Sequence, residues 1–228
     1  SCIKYNEAIS EYKLNLEIYS YLLNKEAKKL NNTNLTNDDK LNRETINFFR
    51  KYPKTTTNEE YEIFKNIISG YDINAKSIFK GTLGIIVKET LLGLSIKRLN
   101  ISSVELLMKL GVDKEVIETS LSNLSYLYIN SDIDLEDRRK IAILLINNGA
   151  KLDIKYKRLN RSQMEDINFI FNAIEKNDLE LVKFILEKYP ELIDKTINPE
   201  GQTPITVAKF YYRKEILQFL LDKKANSK

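Results

Sequence analysis

Histidine is absent from this sequence. That removes the Ser-His-Asp and Cys-His constellations, and with them the commonest general base and the commonest metal ligand. A single cysteine, Cys2, excludes an internal disulfide and a cysteine-based zinc site. Catalysis is left with carboxylates, lysines, tyrosines and hydroxyls that have no imidazole partner, so most hydrolase designs are excluded and no cofactor is expected. Glycine and proline are scarce, at 7 and 4 in 228 residues. The scarcity argues against a many-turned all-β fold and leaves the long unbroken stretches that helices need. No segment approaches the eighteen or so consecutive apolar residues of a membrane span.

What is present is an ordinary globular composition. A hydrophobic fraction of 43% can bury a sizeable core. Thirty-six basic and 32 acidic residues are interleaved and leave only +4, without the dense basic stripe of a nucleic-acid binder. The strongest basic runs, Lys155-Tyr156-Lys157-Arg158 with Arg161 and Lys223-Lys224, read as a solvated loop and a solvated tail. Heavy use of Ile, Asn, Lys and Tyr suggests an AT-rich genome and a bacterial origin. Ser1-Cys2 fits the junction of a processed bacterial lipoprotein, with Cys2 as the lipidated residue, and equally fits a tag remnant before an ordinary cysteine. The expected location is accordingly the bacterial envelope if the chain is exported or lipid-anchored, and the cytoplasm otherwise.

The periodicity is helical. Ile9, Tyr12, Leu16, Tyr19, Leu23, Ala27 and Leu30 recur every three or four positions, which predicts a long first helix with one apolar face. Asn31-Asn32-Thr33-Asn34 ends it, because these side chains compete for backbone hydrogen bonds. Further helices are expected near 40–52, 59–69, 82–95, 102–110, 114–130, 135–147, 164–176, 179–188, 204–210 and 214–223. No convincing period-two alternation appears, so extended strands are not expected. Lys51-Tyr52-Pro53 and Lys188-Tyr189-Pro190 are helix stops, since proline forces the residue before it out of the helical region.

Helices that arrive in pairs invite a search for a period. Gly201-Gln202-Thr203-Pro204-Ile205-Thr206-Val207-Ala208, followed by Glu215-Ile216-Leu217-Gln218-Phe219-Leu220-Leu221, resembles the ankyrin signature G-x-T-P-L-H-x-A and that family's second helix. Each residue has a mechanical role: Gly201 for a tight turn, Thr203 as helix cap, Pro204 in the first helical turn, Ala208 for close packing. The pattern returns thirty-five residues upstream at Ala173, Glu180-Leu181-Val182 and Ile185-Leu186. The helix-ending doublet recurs at Leu145-Ile146, Leu107-Met108 and Ile67-Ile68, giving spacings of 40, 38, 40 and 35 residues against an ankyrin period of about 33. Thr206 fills the place of the family's histidine, and Tyr189 and Lys224 stand where its helix-ending glycine belongs. Residues 164–228 carry the resemblance most fully, 60–163 a degenerate form of it, and 1–59 none.

The resemblance implies an all-α, ankyrin-type helical solenoid of four to five helix pairs. Residues 1–58 would form an N-terminal helical cap and 59–228 the repeats, divided at 59–74 (partial), 75–113, 114–153, 164–198 and 199–228. It also implies a non-enzymatic, monomeric protein-interaction module with an unknown protein partner on its concave side. Carried over by position, the partner-binding residues are Gln163, Glu165, Glu175, Lys176, Glu200, Gln202, Phe210 and Tyr211. Phe210-Tyr211-Tyr212-Arg213 is the most informative local feature, because aromatics and arginine dominate interface hot spots. At least one of its three aromatics is expected in the core. Two alternatives remain. One is an enzyme within residues 1–100 with the repeats as a targeting arm, drawing on Glu59, Glu60, Glu62 or the glycine pair Gly81-Thr82-Leu83-Gly84. The other is a weak binder of nucleic acid or an acidic surface.

Overall fold

A computed structural model describes residues 37–52, 57–80, 86–130, 134–156, 165–195 and 198–226. The helix expected over the first thirty residues, Cys2, the glycine pair Gly81/Gly84 and Gln163 lie outside the described residues. The fold is mostly helical. The helices are α1 (Asn37–Lys51), α2 (Asn58–Ile68), α3 (Leu91–Lys97), α4 (Ile101–Lys109), α5 (Lys114–Thr119) and α6 (Leu121–Asn130), then α7 (Leu135–Asn147), α8 (Ile170–Glu175), α9 (Leu179–Lys188), α10 (Leu192–Lys195), α11 (Pro204–Phe210) and α12 (Lys214–Ala225). Two antiparallel hairpins join them, β1 (Ser77–Lys80) with β2 (Ile86–Glu89) and β3 (Asp153–Tyr156) with β4 (Glu165–Asn168).

The hairpins correct two expected helices. Over 82–95, the chain is extended through Ile86–Glu89, paired from Ser77↔Glu89 to Lys80↔Ile86. Ile86 and Val87 are β-branched and suit a strand. Thr90 then accepts a hydrogen bond from Gly93 N–H at 3.0 Å, so α3 starts only at Leu91. Over 164–176, Glu165–Asn168 pairs with β3, and Phe169 N–H donates to Leu152 C=O at 2.7 Å. The Asn168 carboxamide accepts from Ile170 N–H at 3.1 Å and turns the chain into α8. The helix expected over 114–130 divides at Ser120, whose hydroxyl donates back to Ile117 C=O at 2.7 Å.

The helices pack in sequential pairs, α1 with α2, α3 with α4, α6 with α7, α8 with α9 and α11 with α12. Successive pairs touch in register: α2, α4, α7, α9 and α12 make contact in that order, and so do α3, α6, α8 and α11. Three of the pairs share one turn. Leu99, Asn177 and Tyr212 each adopt a left-handed conformation, with φ of 52°, 58° and 55°. The amide after each reaches back five residues, from Asn100 to Ser95 (3.0 Å), Asp178 to Ala173 (2.9 Å) and Arg213 to Ala208 (2.8 Å). The left-handed residue itself donates three residues back, which completes the helix-ending motif. Ser95, Ala173 and Ala208 are all fully buried, where only a small side chain lets neighbouring helices close. The second helices α4 and α7 end on the same motif with glycine, Gly111 (φ 83°) and Gly149 (φ 96°).

The core is continuous. It runs from an aromatic cluster of Phe48, Phe49 and Phe64 through Leu92, Leu107, Leu145, Ile174 and Leu186 to Ile216 and Leu220. One buried polar knot ties three helices together. Asp178, fully buried, caps α9 by accepting from Leu181 N–H at 3.1 Å. It also takes the Tyr128 hydroxyl from α6 at 3.0 Å and Arg139 Nε from α7 at 2.6 Å. Beside it the buried Arg138 guanidinium donates to the carbonyls of Leu127 (2.7 Å) and Tyr128 (3.3 Å) and lies over the Tyr128 ring. Polar groups this deep are stable only when partnered, and these are.

Candidate partner-binding cleft

The turn before α11 is built around Asn198. Its backbone N–H donates to Gln202 C=O (2.9 Å), its carboxamide oxygen accepts from Gln202 N–H (2.8 Å), and its Nδ2 donates to Gln202 Oε1 (3.0 Å). Gly201 closes the turn at φ 74°, a left-handed conformation that glycine adopts without strain, and donates to Asn198 C=O at 2.9 Å. Thr203 caps α11 by accepting from Thr206 N–H, and Pro204 follows in the first turn. Thr206 donates its hydroxyl to Thr203 C=O at 2.8 Å.

This local order fixes which side of α11 faces inward. Pro204, Val207 and Ala208 are buried, while Lys209 and Phe210 face out. A cleft of about 360 Å³ lies between α8, α11 and the 198–203 turn. Phe171 and Val207, both 2% exposed, contribute apolar surface to it. Phe210 and Tyr211 stand along it, packed edge to face at 5.1 Å between centroids and 87° between planes. Phe210 is 63% exposed, unusual for so large an apolar side chain. Glu175 and Glu200 supply two carboxylates, and Asn198 and Gln202 supply amides. Arg213 joins the two helix pairs, donating Nη2 to the Glu175 carbonyl oxygen and lying 5.9 Å from the Tyr211 ring centroid.

Five of the residues named from sequence, Glu175, Glu200, Gln202, Phe210 and Tyr211, therefore meet at one cleft. Lys176 caps the end of α8 next to it without lining it. Glu165 begins β4, and its side chain, like Gln163, lies outside the described residues. Of the three exposed-or-core aromatics, Tyr211 is half-buried against the core while Tyr212 is 86% exposed. Phe171 and Asn198 were not anticipated. Asn198 had a visible signal, an asparagine three residues before a turn glycine, whereas the role of Phe171 depends on which face of α8 turns inward.

A second, larger cleft of about 650 Å³ lies farther up the chain among Asn74, Thr90, Asp113, Glu115 and Asn123. Glu89 on its wall is already held by Lys97, Thr90 N–H (3.1 Å) and Asn123 Nδ2 (3.5 Å). Two of the three carboxylates considered for catalysis are likewise engaged locally. Glu60 forms a capping box with Thr57, and Glu62 pairs with Lys65 at 3.4 Å. Among the described residues no group of three or more acidic, cysteine or histidine side chains is placed to hold a metal. No described helix is long and apolar enough to cross a membrane.

No protein-family model matches the chain, and a search of curated proteins finds none similar to it.

Proposed function

We propose that the chain is an ankyrin-type helical solenoid that works as a non-enzymatic protein-interaction module and takes its partner at the α8–α11 cleft. The repeated turn at Leu99, Asn177 and Tyr212, the two ordered rows of helices and the capped Thr203-Pro204 helix start support the architecture. The observation that carries the function is Phe210. The fold leaves it 63% exposed beside Tyr211, on a surface to which two neighbouring helix pairs contribute. Exposed aromatics of this kind anchor interfaces, since their burial on binding supplies most of the free energy.

The test is affinity capture with the tagged full chain from bacterial envelope and host lysates, run beside Phe210→Ala and Gln202→Ala. A partner recovered by the wild type and lost with Phe210→Ala supports the reading. A partner retained equally by both variants, or none above background, overturns it.

A further inference from the structure

The shared turn at Leu99, Asn177 and Tyr212 lets three helix pairs be matched position by position. Ile170, Ile174 and Val182 of the α8/α9 pair correspond to Leu92, Ile96 and Val104 of α3/α4, and all six are fully buried. In the last pair, α11/α12, the same places are held by Ile205, Lys209 and Leu217, which are half-buried or exposed. One turn on, Leu186 is fully buried while its counterpart Leu221 is 46% exposed. Residues that face each pair's own interior show no such change. Ala173 and Ala208, Leu181 and Ile216, and Ile185 and Leu220 are buried alike. What differs is the neighbour: α8 and α9 carry α11 and α12 on their far side, and no described element follows α12 to cover the same edge of the last pair.

This edge is more than an uncovered copy of the interior. Ile96 and Ile174 give way to Lys209, while Ile101 and Leu179, which pack against the core, give way to Lys214. Both lysines are exposed, and neither forms an ion pair among the described residues. We propose that the α11/α12 edge docks an amphipathic helix of another protein, with its apolar stripe on Ile205, Leu217 and Leu221 and its flanking carboxylates on Lys209 and Lys214. A helix is the complementary shape, because the same surface of α8 and α9 receives helices. A second copy seated by this edge would bring the same two lysines into one interface, like charge near like. A further helix pair stacked in register would bury Lys209 where the interior keeps isoleucine, leaving its charge uncompensated. An acidic helix meets neither obstacle, since its carboxylates match the lysines at the rim while its apolar residues cover the stripe. The edge lies on the opposite side of α11 from the α8–α11 cleft, so either surface can fail without the other.

The experiment uses the isotopically labelled full chain and two capped helical peptides that differ only in charge. Each carries leucines three and four residues apart, flanked by glutamates in one peptide and by lysines in the other. Binding is read from the amide resonances of Ile205, Lys209, Leu217 and Leu221. The glutamate peptide is expected to shift them, and the lysine peptide to bind about tenfold more weakly. The double variant Lys209→Glu with Lys214→Glu is expected to reverse that order. Leu221→Ser is expected to weaken the glutamate peptide about fivefold. The substituted side chains are exposed, so far-ultraviolet circular dichroism is expected to match the wild type.

Equal binding of the two peptides, an order that the double variant fails to reverse, or no shift from either peptide would overturn the proposal. So would shifts confined to Gln202 and Tyr211, which place the peptide in the cleft. Edge resonances that move with protein concentration in the chain alone would overturn it too, because the occupant is then a second copy. The protein-binding reading of the cleft is tested separately, by the loss of a captured partner with Phe210→Ala.

Discussion

Arg139 and Asp178 meet across two helix pairs, with Nε of the half-buried guanidinium 2.6 Å from Oδ1 of a carboxylate that is wholly buried. The carboxylate also holds the Tyr128 hydroxyl and the first turn of α9, so one side chain serves three elements. Asp178→Ala leaves a buried tyrosine hydroxyl and a guanidinium without their acceptor. The expected loss is about 3–5 kcal/mol, the usual cost of breaking a buried pair. Urea denaturation measures it, and in a double-mutant cycle with Tyr128→Phe the two losses are expected to sum to more than the double variant loses.

Tyr128 gives that network a pH signature. Burial first, and the neighbouring Asp178 charge second, push its hydroxyl far above the ordinary tyrosine range. The folded state therefore keeps a proton that the unfolded chain releases near the ordinary value of 10.0. The contribution is fully present below that pH and is lost progressively above it. Chemical denaturation across the alkaline range is expected to show wild-type stability falling more steeply than that of Tyr128→Phe. Parallel curves would show that Tyr128 titrates alike in both states.

Tyr212 occupies the turn position that Asn177 holds in the preceding pair, and a bulky side chain there is strained at φ 55°. With the ring 86% exposed, little packing offsets the strain. Tyr212→Asn is expected to raise stability by about 0.5–1 kcal/mol, since asparagine tolerates the left-handed region. Thermal or urea unfolding decides it, and an unchanged midpoint would mean the turn is not strained.

Gly93 is constrained by space instead. A Cβ there would overlap Glu89 Oε1 and lie 2.7 Å from Asn123 Nδ2. Gly93→Ala must push the Glu89 side chain away from Thr90 N–H and Asn123, at a cost of about 1–3 kcal/mol typical of overpacking. Adding Glu89→Ala removes the nearer obstruction, leaving only the Asn123 carboxamide to shift, and is expected to recover part of that loss.

These relationships differ in how legible they are. Thr203, Pro204 and Ala208 announce themselves because their roles are local, a cap, a first turn and a small buried contact. The bounds of α7, α9 and α11 follow for the same reason. Thr90 and Ser95 build the same capped, closely packed helix as Thr203 and Ala208, yet the intervening Leu91-Leu92-Gly93 conceals the likeness. The hairpins escaped because their strands have four residues each, too few for alternation to register. Asp178 and Arg139 are separated by 39 residues, and no pattern along the chain links such a pair. At the cleft, five residues carried over by position do converge, while Phe171 and the inward Val207 became visible only with the packing of α8 against α11.

Phe210 and Val207 sit one turn apart on α11 and separate binding from folding. Val207 is 2% exposed, so Val207→Ala removes buried methyl groups and leaves a small void, at an expected cost of about 1–2 kcal/mol. Phe210 is 63% exposed, so Phe210→Ala forfeits little folded-state packing and is expected to change stability by less than about 0.5 kcal/mol. Partner capture is expected to respond in the opposite order, with Phe210→Ala losing the partner and Val207→Ala, whose side chain lines only the floor of the cleft, weakening capture far less at temperatures where it remains folded. If Phe210→Ala instead lowers the urea midpoint as much as Val207→Ala does, the ring is a packing element. Its exposure then gives no reason to place an interface there.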